Sequence, residues 1–171
     1  MNKVQIGVIG TAAFVAVLIY GLTRQSYDKR DLLGVIPGMT HKQAESLGKS
    51  RKWGCLDQPS AREFICVTPR GKLSFDYLAG DDQKVARATL RLSGVAGSAQ
   101  SLADDISEQY RKKPVSVEGQ EPDMTFTWDL GDAVKLQLRK SADATDISIG
   151  HDDLRKQWDA EAQGRVQGGP R

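Results

Sequence analysis

Cys55 and Cys66 are the only cysteines in the 171 residues. Thiol redox catalysis favours a Cys-x-x-Cys spacing, which this is not. The pair reads as one structural disulfide closing a short loop around Pro59, worth roughly 3 kcal/mol on the chain-entropy account. The alternative is two buried free thiols acting as small hydrophobes. His41 and His151 are the only histidines. His151-Asp152-Asp153 offers one imidazole beside two adjacent carboxylates, whereas a structural metal needs more converging ligands. Asp152 is better used as a helix cap. Asp81-Asp82 reads as a turn and Asp104-Asp105 as a solvated helix face, so neither supplies the facing carboxylates of acid–base hydrolysis. There is no Gly-x-Ser-x-Gly elbow and no phosphate-cradling glycine loop. No catalytic residue, metal, cofactor or small-molecule substrate is expected.

The remaining chemistry is recognition. Tryptophan is enriched at binding hot spots. Trp53, after Arg51-Lys52, and Trp158, on a charged helix, are candidate partner-binding anchors, with local packing as the alternative. Trp128 belongs to an alternating strand and reads as core. Arg87 and Arg91 on one strand, and Lys135 and Arg139 on another, line outward faces. They are a candidate basic binding surface, or else an ordinary solvated sheet face. Lys and Arg number 24 against 22 Asp and Glu. The first thirty residues hold Lys3, Arg24, Lys29 and Arg30 against Asp28, which leaves the rest at −1. A polybasic nucleic-acid arm is thereby excluded.

These side chains need elements to position them. Residues 4–22 carry no charge, and nineteen helical residues reach about 28 Å, close to a hydrocarbon core of ~30 Å. They predict a single-pass transmembrane helix in contact with membrane lipid; a cleaved signal peptide is the alternative. Flanking charges slightly favour a cytoplasmic body. The cysteine pair favours an oxidising compartment. The resulting expectation is a bacterial inner-membrane protein with its body in the periplasm.

Residues 1–30 form the anchor and charged linker, and residues 31–151 the body. Thr40 with Gln43 makes a capping box, Met39 and Ala44 a hydrophobic staple, and Gly48 a helix stop. Strands are predicted over 63–68, 72–79 and 85–93 from their period-two patterning. Ser98 caps a second helix with Ala99, Leu102, Ala103, Ile106 and Tyr110 on one side, closed by Pro114. Strands over 124–130 and 134–139 meet at a Gly131-Asp132 hairpin, and a short strand holds Ile147 and Ile149. A last helix spans 152–163, followed by a disordered tail, 164–171. The order is helix then three strands, twice, in halves 35–93 and 94–151. The predicted class is α+β: an N-terminal transmembrane helix, then a duplicated αβββ unit with helices packed on antiparallel sheet.

The run Pro37-Gly38-Met39-Thr40-His41-Lys42-Gln43-Ala44-Glu45-Ser46-Leu47-Gly48 resembles the Gly-Met-Thr helix start of outer-membrane-assembly lipoproteins of the SmpA/BamE type, whose αβ fold is shared with β-lactamase inhibitory proteins. In the latter a short disulfide loop follows the helix, a placement that Cys55 and Cys66 match. No lipid-attachment cysteine follows the apolar run, so a lipoprotein is not expected. The resemblance implies a non-catalytic exported module that binds protein. The functional expectation is therefore a membrane-anchored periplasmic protein-interaction or envelope-assembly module. The alternative is an accessory subunit held in a larger complex mainly by its transmembrane helix.

Overall fold

The computed structural model describes residues 30–92 and 94–167. Thr40 caps the first helix, α1 (His41–Ser50). Its hydroxyl accepts from the Gln43 amide at 3.3 Å, and its own N–H donates to the Gln43 side chain at 2.8 Å. Two orphan donors of the first turn are so satisfied. Gly48 does not stop this helix. It lies inside it, because the disulfide approaches there: a Cβ at Gly48 would stand 2.8 Å from Cys55 Sγ. Four strands follow: β1 (Gly54–Gln58), β2 (Glu63–Thr68), β3 (Gly71–Tyr77) and β4 (Val85–Leu92). The second half repeats the pattern with α2 (Ala99–Tyr110), β5 (Ser116–Gln120), β6 (Asp123–Gly131), β7 (Val134–Lys140) and β8 (Thr145–His151). Helix α3 (Asp152–Gln167) leaves directly from β8.

All eight strands form one antiparallel sheet in the order β1-β2-β3-β4-β8-β7-β6-β5. This corrects the predicted αβββ duplication. Each half carries a fourth strand, β1 or β5, at a sheet edge. Every residue of β1 but Gln58 is exposed, and β5 is exposed from Val117 onward. Edge strands without a buried face leave no alternation to read.

The predicted transmembrane helix is likewise corrected. No helix among the described residues is long and apolar enough to cross a membrane. The longest, α3, has 16 residues and reaches about 24 Å, short of ~30 Å. Residues 4–22 lie outside the described residues. The single-pass inner-membrane placement, which rested on them, is withdrawn, and with it the uncleaved membrane anchor and the body's assignment to the periplasm. Helix α3 also continues past 163 to Gln167, through the start of the predicted tail.

Register fixes which side chains share a face. One row crosses the sheet as Cys55, Cys66, Leu73, Leu90, Ile147, Leu138, Phe126 and Val117. The next row on that face holds Phe64, Phe75, Ala88, Ile149, Leu136 and Trp128. Helices α1 and α2 supply Ala44 and the stripe Ala99, Leu102, Ala103, Ile106 and Tyr110 to the same core, as do Leu32 and Val35 of the entering chain. Two polar side chains lock this layer. Trp128 Nε1 donates to Ser107 Oγ at 3.1 Å, and the Tyr110 hydroxyl donates to the Asp31 carbonyl at 2.8 Å.

Candidate functional site: the uncovered sheet face

The opposite face of the sheet is polar and lies away from α1 and α2. Its middle row reads Leu56, Ile65, Ser74, Thr89, Ser148, Gln137, Thr127 and Ser116. From Ser74 to Ser116 this row is hydroxyls and one amide, with Gln137 Nε2 donating to Thr127 Oγ1 at 3.3 Å. A second row holds Gly54, Val67, Lys72, Arg91, Asp146, Arg139, Thr125 and Glu118. Leu56, Ile65 and Val67 thus lie together at the β1–β2 edge. Leu56 is 61% exposed and Val67 68%, an apolar patch beside a hydrogen-bonding stripe.

Helix α3 crosses the far end of this face. Lys135 Nζ meets Asp152 at 2.7 Å, so Asp152 serves an ion pair on the first turn rather than a capping role. A side chain at Gly150 would collide with Arg155, whose Cδ would lie 2.7 Å from the new Cβ. The Arg87 guanidinium stands 5.7 Å from the Trp158 ring, a cation–π distance, and Arg87 Nε donates to Asp76 at 2.7 Å. At the helix's far end Glu161 accepts from Arg62 and from the Ala79 amide.

The predicted binding residues therefore divide. Arg87, Arg91, Lys135 and Arg139 share this polar face, Arg87 and Lys135 at the end that α3 crosses, and Trp158 joins them from α3. Trp53 does not. It is half-buried against α1, its backbone N–H donating to the Gly48 carbonyl at 2.9 Å. The basic surface is also largely neutralised. Arg91 makes two bonds of 2.8 Å to Asp146, while Arg87 and Lys135 have Asp76 and Asp152. Arg139 has no ion pair among the described residues. These aspartates come from other strands and from α3, so linear sequence hides the pairing. Ser74, Thr89, Thr127 and Gln137 are polar alternates within their strands. The continuity of the row needed the strand order.

Cys55 and Cys66 are bonded to each other across directly paired positions of β1 and β2. Of the histidines, His41 has its Nε2 3.5 Å from Asp57 Oδ1, and the Tyr77 hydroxyl donates to the same oxygen at 3.0 Å. Burial, then the Asp57 carboxylate, pushes the Tyr77 phenol up to about 12. Among the described residues no three His, Cys, Asp or Glu side chains are placed to hold a metal ion.

No family model matches the chain, and no curated protein matches it. Among solved structures the chain is similar to a DUF4309 family protein, YjgB from Bacillus subtilis, at 12% identity and a TM-score of 0.37, over 79% of this chain and 91% of that one.

Proposed function

We propose that the protein is a non-catalytic protein-binding module whose contact surface is the uncovered sheet face. One observation carries this reading: a row of six hydroxyl and amide side chains, Ser74 to Ser116, bordered by the Leu56–Ile65–Val67 patch, in which Leu56 and Val67 are exposed and Ile65 is half-buried. An apolar anchor point beside groups that both donate and accept hydrogen bonds suits a protein partner. Paired charges such as Arg91–Asp146 fix orientation more than affinity. The resemblance of residues 37–48 to the SmpA/BamE-type helix start supports the same class of function.

Site-specific photocrosslinking tests the proposal. A benzophenone side chain at Thr89, Gln137 or Ser148 should yield one discrete protein adduct in cells that express the protein. The same probe at Gln100 or Asp104, on α2, should not. Ser148→Arg should abolish the Thr89 adduct with the melting temperature unchanged. Adducts of equal yield from both faces, or from α2 alone, would defeat the assignment.

A further inference from the structure

The even overall charge conceals a segregated corner. Where α1 ends, β2 turns into β3 and β4 ends, the chain places Arg51, Lys52, Arg70, Lys72 and Arg91. Arg91 has Asp146. Arg51 and Arg70 have no ion pair among the described residues. Arg51 caps α1, its Nη2 directed to within 3.9 Å of where a Gly34 Cβ would stand. Arg70 sits in the β2–β3 turn, with its amide donating to Thr68 Oγ1 at 3.1 Å. Its Nη1 is closed to solvent and has no hydrogen-bond partner. Burial, then the charge of Arg51, holds the Arg70 guanidinium below its ordinary range. A withdrawn donor under the influence of a like charge costs free energy until an opposite charge joins it.

We propose that Arg51 and Arg70 form a receptor for a phosphate group, both guanidiniums donating to one tetrahedral dianion. A dianion cancels both charges and accepts planar forks from two directions; a carboxylate supplies one charge and two oxygens. Lys52, in the turn after α1, and Lys72, at the start of β3, add attraction at longer range. The site lies where α1 ends and does not rest on the protein-binding reading.

Thermal unfolding in phosphate, acetate and chloride at matched ionic strength tests it. Wild type should melt higher in phosphate, the shift growing with concentration as mass action requires, and should show no such shift in acetate. Arg51→Gln and Arg70→Gln should lose the phosphate shift while remaining at least as stable as wild type in chloride, since each removes half of a repulsive pair. Arg70→Lys keeps the charge without the fork and should raise the phosphate concentration needed about tenfold. Lys113→Gln, remote from the corner, should retain the full shift. Sedimentation with phosphatidic acid vesicles distinguishes the sources: binding that Arg70→Gln abolishes assigns a lipid headgroup, and a phosphate shift without sedimentation assigns a soluble phosphate. An equal phosphate shift in Arg70→Gln, or an equal shift in acetate, overturns the proposal.

Discussion

Gly48 shows how one missing carbon can matter more than helix propensity. Alanine normally stabilises a helix over glycine by ~1 kcal/mol. Here the new Cβ would lie 2.8 Å from Cys55 Sγ and 3.6 Å from Cys66 Sγ, against a cross-link with little freedom to yield. Gly48→Ala should therefore destabilise by about 1–3 kcal/mol, read as a lower urea midpoint. Tyr77 gives a second test at this scale. Its phenol is pushed up to about 12 in the folded protein, first by burial and then by Asp57, against ~10 in an unfolded chain. The folded state holds that proton more tightly. The contribution to stability is complete below pH ~10 and is lost as pH rises through the folded value. Burial raises Tyr110 in the same direction. Urea midpoints should fall steeply above pH ~10, and Tyr77→Phe should flatten that fall. An identical slope in the variant would remove Tyr77 as its source.

At the scale of elements, β1 is the strand most dependent on a covalent tie. It is an edge strand, mostly exposed, joined to β2 by its ladder and by the Cys55–Cys66 bridge. Replacing both cysteines by serine should cost about 2–3 kcal/mol and make the β1 amides the first of the sheet to exchange with solvent. Exchange uniform across the sheet would show that the bridge does not localise its effect. The same exposure explains what the sequence leaves illegible. Buried stripes announced α1, α2 and six strands, because Ala44, Ile106, Phe126 or Leu138 must recur at the period of their element. The strands β1 and β5 contribute little to the core and carry no such rhythm. Chemistry also masked geometry at the β6–β7 turn. Gly131-Asp132 invites a hairpin with those two residues at its tip, yet the tip is Asp132-Ala133, with φ of 51° and 59°, while Gly131, itself at φ 88°, still pairs with Val134. The candidate face was half legible: its polar alternates could be assigned strand by strand, but their merging into one row depended on pairing between β4 and β8.

For the whole molecule, one core spans both halves, running unbroken from Cys66 to Phe126 across the β4–β8 junction. Unfolding should then be a single cooperative event. Trp53 lies in the first half, Trp128 in the second and Trp158 on α3. Three variants, each keeping one tryptophan with the others changed to phenylalanine, should report coincident transitions relative to their own stabilities by fluorescence and circular dichroism. Separate midpoints within one variant would show that the halves melt apart. The strand order supplies a further consequence. Read from either edge, the sheet presents the first, second, third and fourth strand of a half, and the two fourth strands meet antiparallel. A two-fold axis imposes that same relation on an isologous interface. The chain is in effect a homodimer-like pair made continuous by the short connection before α2. An encounter that would otherwise depend on concentration becomes intramolecular. Cutting that connection should leave two fragments that rejoin through β4 and β8 with an affinity that dilution can defeat.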